Sequence, residues 1–571
     1  MIILSKIKRK IKSFSRWGKY YTKEERKMQV PNMTPYEMLS GVAEKHANLR
    51  AYSYFGKAVT YSKMMKQIDD VADSFMNLGV KKYDIVTLIM PNTPEAILSF
   101  YALNKIGAVS NMIHPLSSSD EIDMCLKNTE SKIVLVIDAS YEKIKHSLDE
   151  TKVDTIIGIS AGNSMPFHLK LGYKLAMGRK YKKPHKEMFI SWKKFLKMRS
   201  EHVNPRRVSD VRDEPALILQ SGGTTGISKG IVLSNGSLTA MVKQAAAIVV
   251  NLKAGDKALS ILPIFHGFGL ALGIHSPLCL GVEAVLIPKF KVDEFANIIT
   301  KNRPNVVFGV PTLYEGLLKV ENDDMDLSFL KYAICGGDSL SGSLQQRINE
   351  CFKKHGANIT VSQGYGMTEA LAGVVINVDK CDEPGCIGIP TPGTDIKIVE
   401  PFSQKEVKDG EDGEICISGP TMMLGYLNNE EETNNALQIH DDGYLWLHTG
   451  DIGYVDKNGM IFYKQRLKRM IITSGYNVYP KHIEEVIEEH EAVLCCTVVG
   501  IPHPYKVEVA KACIVLKNDY LDTPIVRASI KQHCEKHLAK FEQPFKYDFR
   551  KSLPKTKMGK IDFRKLQEEE N

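Results

Sequence analysis

The chain of 571 residues lacks the marks of several simple function classes. Its eleven cysteines contain no Cys-x-x-Cys pair and no spacing suited to zinc, which excludes a zinc-finger framework. Scattered from Cys125 to Cys534, they read as reduced thiols of a cytosolic protein. No apolar run has the character of a membrane span. The 25 residues of 258–282 are uncharged but are broken by Pro263, Pro277 and glycines, a pattern that predicts buried strand and loop. The opening MIILSKIKRKIK is too basic, and its apolar run too short, for a signal peptide. Excess charge is also missing from most of the chain. The formal net charge is +8, yet residues 1–28 carry ten Lys/Arg against two Glu, and residues 161–200 carry eleven against one. Basicity confined to two patches argues against a nucleic-acid binder, which needs a basic face on its folded core.

What is present suits an enzyme. Hydrophobic residues make up 43% and charged residues 25%, close to the globular average, which excludes wholesale disorder, collagen and coiled coil. The length suggests about two to four folding units. Ile3, Ile7, Ile11, Phe14 and Trp17 recur at spacings of three and four among lysines. That pattern predicts a basic amphipathic helix, which fits an anionic membrane surface or a docking site on the protein's own core. Residues 167–200 repeat the pattern, with Trp192, Phe195 and Met198 at helical spacing. They read as a second membrane-facing element, a substrate-delivery flap or a solvated insertion.

Elsewhere helical patterns (62–78 and 95–106) alternate with short apolar runs such as IVTLIM, KIVLVID, KALSILP, EAVLIP and NVVFGVP. Such alternation predicts an α/β architecture with largely parallel sheets. After about Asp451 the pattern changes to a small α+β unit, with a boundary near Arg466–Lys468.

Four segments carry chemistry. Gln220-Ser221-Gly222-Gly223-Thr224-Thr225-Gly226-Ile227-Ser228-Lys229-Gly230 lies between the apolar runs ALILQ and GIVLS. Its glycines permit a tight turn that aims N–H groups at an anion, and its Thr hydroxyls and Lys229 add donors suited to a triphosphate. It also fits a plain Gly/Ser/Thr hairpin loop. In Gln363-Gly364-Tyr365-Gly366-Met367-Thr368-Glu369 the tyrosine can lie against a flat base, and Thr368 and Glu369 can serve phosphate and Mg²⁺. It also fits an ordinary turn. His448-Thr449-Gly450-Asp451, with Arg466 fifteen residues on, offers an aspartate suited to ribose hydroxyls. Pro554-Lys555-Thr556-Lys557-Met558-Gly559-Lys560 is a lysine-bearing loop bracketed by Pro and Gly.

In this order the four segments resemble the adenylate-forming (AMP-binding) superfamily, in its acyl-CoA synthetase branch. The resemblance runs from about Thr34 to Lys565. It is strengthened by Leu262-Pro263-Ile264-Phe265-His266-Gly267-Phe268-Gly269, Cys335-Gly336-Gly337-Asp338-Ser339, Gly413-Glu414-Ile415-Cys416-Ile417-Ser418-Gly419-Pro420 and Ser474-Gly475-Tyr476-Asn477. It implies the adenylate-forming enzyme fold: a large N-terminal domain (31–466) of parallel and mixed sheets with flanking helices, and a small mobile α+β C-terminal domain (467–571). It also implies a ligase that joins a carboxylate to ATP, with Mg²⁺, and passes the acyl group to CoA or, alternatively, to a carrier-protein thiol.

The resemblance carries roles residue by residue. Thr224, Thr225, Gly226 and Lys229 would hold the β- and γ-phosphates. Thr368 would meet the α-phosphate and Glu369 the Mg²⁺. Gly364, Tyr365 and Gly366 would lie against adenine, with Gly336, Gly337 and Asp338 forming the other wall. Asp451 and Arg466 would hold the ribose, and Lys560 would bridge carboxylate and α-phosphate. Lys468 would be the hinge about which Lys560 gives way to Ser474, Gly475 and Tyr476, the lining of a CoA tunnel. Gly222, Ser228, Asn235 and Gln465 depart from the usual pattern without removing a charged catalytic group. His266 stands where amino-acid-activating members carry an aspartate, which favours an acyl substrate. Phe268, Leu270, Val310, Pro311 and Leu313 are candidate pocket walls or plain core. The expected substrate is a medium- or long-chain fatty acid.

Overall fold

The computed structural model describes residues 16–144, 150–177, 187–199, 211–220, 229–321, 324–377, 383, 385–473, 476–503, 505–555 and 561–569. Contacts divide the chain into two compact units, one of Met1–Ile396 with Ile417–Leu447, the other of Lys397–Cys416 with His448–Asn571.

The first unit is α/β, as the alternation predicts. One sheet runs Cys386–Pro390, Gly373–Ile376, Val361–Gly366, Tyr332–Cys335, Val306–Gly309, Lys257–Ser260, Glu283–Leu286, Arg50–Tyr54 and Lys57–Thr60. Its central strands pair in parallel, with Cys335 opposite Gln363 and Gly309 opposite Cys335. A second sheet runs Gly425–Tyr426, Gly230–Ser234, Pro215–Gln220, Val109–Ile113, Ile85–Ile89, Ile133–Ile137, Thr155–Ile159 and Phe189–Ser191. All five residues of Val109–Ile113 and of Ile133–Ile137 are buried, as expected of parallel strands covered on both faces.

Local chemistry sets the helix ends. The helix Pro94–Ile106 starts where Thr93 Oγ1 accepts the Ala96 N–H, has Pro94 in its first turn, and ends at Gly107 in the left-handed region. Thr34 and Ser118 each form a capping box, with Glu37 and Glu121 respectively. The helices expected at 62–78 and 95–106 are observed as Tyr61–Asn77 and Pro94–Ile106.

Three expectations need correction. Residues 258–282 hold, beyond the strand, a wide π-type helix Phe268–His275 followed by Ser276–Cys279. Burial in the core removes the amphipathic signal, so the segment reads as strand and loop. Trp17 lies in a short 3-10 turn, Trp17–Tyr20, and is 2% exposed, so it faces protein and not lipid. Residues 1–15 of the predicted amphipathic helix lie outside the described residues. Trp192 and Phe195 are likewise buried, and Phe195 packs against Phe75 with ring centroids 4.9 Å apart. Their helical spacing therefore marks a core face.

The second unit is α+β. It holds Ile461–Arg466 and the larger parts of the strands Asp395–Val399, Gly413–Ser418 and Leu445–Val455, which lie side by side. A separate sheet runs Tyr476–Val478, Ile471–Thr473, Val507–Leu516 and Val493–His503, with Lys546–Phe549 pairing in parallel to Val507–Leu516. The helices Pro480–Glu488 and Pro524–His537 contribute Ile483, Ile487, Ile530 and Cys534 to one core with Val498 and Ile514.

Candidate active site

Parallel strands deliver their following loops to one sheet edge, the usual place for ligands in such folds. In the first unit four of these loops carry the expected residues. Lys257–Ser260 leads to His266–Phe268, Val306–Gly309 to Val310, Tyr332–Cys335 to Gly336–Asp338, and Val361–Gly366 to Thr368–Glu369. The structure thus gathers segments spread over about a hundred residues.

Close backbone packing fixes this edge. A Cβ on Gly267 would lie 1.7 Å from the Leu371 carbonyl oxygen, and one on Gly366 would lie 1.6 Å from that of Ala372. The two motif glycines therefore let the His266 loop and the Tyr365–Glu369 segment meet the chain that turns back after Glu369. Leu371 itself takes a positive φ of 67°, a strained conformation for a branched residue held in place by surrounding contacts. His266 is exposed and is not a core histidine. Phe268 packs against Gly336, and Val310 against Gly337. Phe268 and Val310 are half-buried there, whereas Leu270 and Leu313 are fully buried core. The bordering Cys335 thiol is pushed well above its ordinary pKa by burial and the nearby Asp338. It stays protonated and is a poor nucleophile.

In the second sheet, Lys229 immediately precedes the strand Gly230–Ser234. Residues 221–228, with Thr224, Thr225 and Gly226, lie outside the described residues, but the strands on both sides are defined, Pro215–Gln220 antiparallel to Gly230–Ser234. Gln220, at the loop's base, donates from Nε2 to Asn111 Oδ1 at 2.7 Å. Asn111 donates in turn to Thr87 Oγ1 at 2.9 Å, and Thr87 meets Ser131 at 2.7 Å. A buried polar chain thus pins the loop's entrance. At its exit the Lys229 ammonium lies 2.8 Å from Glu432 Oε2 and 5.1 Å from the Tyr426 ring centroid. The Tyr426 hydroxyl donates to Glu369 Oε1 at 3.0 Å.

In the second unit, strand pairing sets Asp451 opposite Arg466. The guanidinium Nε is 3.0 Å from Asp451 Oδ1, and Nη1 donates to the Thr449 carbonyl at 3.2 Å. Asp451 is 1% exposed, and its N–H donates to Thr449 Oγ1 at 3.0 Å. Glu414 braces the turn: its Oε1 accepts the Gly450 N–H at 2.8 Å, and its Oε2 lies 2.9 Å from His448 Nδ1. Lys560, Ser474 and Gly475 lie outside the described residues, as do the side chains of Lys468 and Tyr476.

The AMP-binding enzyme family model matches residues 39–427, and the AMP-binding enzyme C-terminal domain matches 482–560. The chain belongs to the AMP-binding enzyme family. Its relatives place it among the acyl-CoA ligases, which are AMP-forming acid–thiol ligases that act on a carboxylate, ATP and CoA. A long-chain-fatty-acid–CoA ligase of Bacillus subtilis is 33% identical over 95% of this chain and 96% of its own length. A 4-coumarate–CoA ligase of Arabidopsis thaliana is 28% identical over 94% of this chain and 91% of its own length. Among solved structures, an anthranilate–CoA ligase bound to anthranoyl-AMP superposes with a TM-score of 0.81 at 22% identity, covering 96% of this chain and 99% of that one. A fatty acyl-CoA synthetase of Mycobacterium tuberculosis gives 0.70 at 26% identity, covering 94% and 98%.

Sequence reasoning passed over Tyr426, Glu432, Glu414 and Thr449 as individual contributors. Tyr426 reaches Lys229 through a strand pairing that brings together residues about two hundred apart, and no local signal announces that. Glu414 and Thr449 stand inside quoted motifs, where a buried carboxylate two residues before a cysteine and a Thr beside Gly-Asp were the available hints.

Proposed function

We propose that this enzyme activates a medium- or long-chain fatty acid with ATP and transfers it to CoA, releasing AMP and pyrophosphate. The carrying observation is the loop edge that sets His266, Phe268, Val310, Gly336–Asp338 and Tyr365–Glu369 together, read beside similarity to long-chain-fatty-acid–CoA ligases. Attack of a carboxylate on the α-phosphorus brings two anions together, so catalysis rests on positioning and on cations at the developing charge. Lys229 would take the outer phosphates, Thr368 the α-phosphate and Lys560 the bridging position, while Asp451 and Arg466 would hold the ribose. Glu369 is a half-buried hard-oxygen donor whose Oε1 is oriented by Tyr426. It fits a Mg²⁺ ligand, and the ion when bound would screen the leaving pyrophosphate. Turning about Lys468 would then exchange Lys560 for Ser474, Gly475 and Tyr476 along the pantetheine arm. The test is CoA-dependent AMP release across C2–C18 fatty acids, benzoates and bile acids. A preference for C8 or longer chains supports the reading, and a preference for aryl acids refutes it. AMP release that stays negligible with CoA despite pyrophosphate exchange would assign a carrier-protein thiol instead.

The same reading includes contact with an anionic membrane through residues 1–28 and 161–200, apart from the buried Trp17, Trp192 and Phe195. Its support is the helix Phe167–Met177, none of whose residues is buried. Phe167 is 82% exposed, Leu171 50% and Leu175 76%. Spaced four apart, they form one stripe beside Lys170 and Lys174. Tyr173 fastens the helix by donating to Asp138 at 3.0 Å. Phe167→Trp should blue-shift on adding phosphatidylglycerol vesicles, and an unshifted spectrum refutes contact through this helix.

A further inference from the structure

A short stretch of chain ties the residues proposed for polyphosphate and metal into one mechanical unit. Gly425–Tyr426 pairs antiparallel with the strand that follows Lys229, with Tyr426 opposite Ile231. The Leu427 N–H donates to the Gly230 carbonyl at 2.7 Å, and the Leu424 N–H to that of Val232 at 2.7 Å. One residue earlier, the Met423 N–H donates to the Glu369 carbonyl at 2.7 Å. The stretch is thus bonded to Gly230, next to Lys229, at one end and to Glu369 at the other. From its middle, Tyr426 sends its hydroxyl to Glu369 Oε1 at 3.0 Å and presents its ring to the Lys229 ammonium at 5.1 Å.

The chain then turns at Asn429, whose Oδ1 accepts the Glu432 N–H at 3.0 Å, and begins the helix Glu430–Ala436. The Tyr426 N–H donates to Thr433 Oγ1 at 2.9 Å, locking the turn against the strand. Of the three glutamates that open this helix, Glu430 and Glu431 are exposed, while Glu432 reaches back to Lys229 at 2.8 Å. A carboxylate therefore already holds the cation that the proposed reaction assigns to the outer phosphates.

We propose that Glu432 is an internal surrogate for the ATP polyphosphate: its carboxylate occupies the Lys229 ammonium in the free enzyme and is displaced when nucleotide binds, with the Tyr426 ring as the fixed seat of the exchange. The inference rests on the assignment of Lys229 to polyphosphate. The pair gives the cation a carboxylate partner beside the favourable face of the Tyr426 ring, and the cost is competition with the incoming anion. Because the pair is partly exposed, with side chains 23% and 46% accessible, that competition is modest. Release of such a pair corresponds to about a two- to fivefold change in binding.

Titration of the full-length enzyme with a fluorescent N-methylanthraniloyl-ATP, with and without Mg²⁺, tests this. Glu432→Gln is expected to tighten binding about two- to fivefold and to lower KM for ATP with little change in kcat. Glu431→Gln, which removes the same charge from an exposed neighbour, should change binding less. In a Lys229→Ala background Glu432→Gln should have no effect. If Glu432→Gln leaves binding unchanged or weakens it, or if Glu431→Gln matches it, the surrogate role is overturned. If Lys229→Ala itself binds nucleotide like the parent, the underlying assignment of Lys229 fails instead, so the two failures are distinguishable.

Discussion

Gly267→Ala should cripple adenylation although it adds one methyl group and touches no charged residue. Its Cβ would sit 1.7 Å from the Leu371 carbonyl oxygen, where carbon and oxygen ordinarily approach to about 3.3 Å. Relief requires about 1.6 Å of movement, by this difference, between two backbones. Neither yields easily. Leu371 is buried with a positive φ, its N–H donates to the Thr368 carbonyl at 2.9 Å, and it directly follows the turn Thr368–Ala370. The strain should cost about 1–3 kcal/mol of stability, as overpacking does. A shift of about 1 Å at Thr368 and Glu369 should reduce the rate on the order of 10²-fold. Gly273→Ala is the control, because its Cβ would meet nothing nearer than the Phe268 carbonyl oxygen at 3.8 Å. Pyrophosphate exchange and thermal unfolding of both variants form the assay. A Gly267→Ala enzyme with parental exchange and melting temperature would refute the reasoning, as would equal damage from Gly273→Ala.

Three other outcomes are expected. Lys560→Ala should abolish adenylation yet still convert a preformed acyl-adenylate to thioester; equal loss of both half-reactions would contradict the two-conformation assignment. His275 is buried within 2.8 Å of the Tyr101 hydroxyl, and desolvation lowers its pKa from 6.5 to about 3. The unfolded chain therefore binds a proton that the folded chain refuses, and stability falls as pH drops below 6.5, by about 1.4 kcal/mol per unit. Urea midpoints at pH 7.5 and 5.0 should show that slope flattened in His275→Asn, and an unchanged slope would count against it. Nine of the ten described cysteines are buried, and Cys495 is half-buried. In a Cys381→Ser background a thiol reagent should therefore find one fast site, removed by Cys495→Ser; a fast phase that survives would contradict the burial.

The alternation of apolar runs with helical patterns, and the cap residues that punctuate it, carried the architecture, because parallel strands and helix starts are written in residues close together. Thr93-Pro94 and Gly107 bound one helix without help from the rest of the chain. The motif order identified the chemistry for a similar reason: Gly366 and Gly267 tolerate no side chain, and Asp451 and Arg466 face each other across one hairpin. Burial was not legible. Periodicity gives an apolar stripe without saying what covers it, so a lipid face stayed open among the readings for Trp17, Trp192 and Phe195, which proved to be core, while Phe167, Leu171 and Leu175 stayed exposed. The wide helix Phe268–His275 was hidden because a segment buried all round has no stripe at all. The Lys229–Glu432 and Tyr426–Glu369 contacts lay furthest from view. Strand pairing across about two hundred residues created them, and long-range pairing is set by which surfaces the whole chain can bury, a quantity no local window contains.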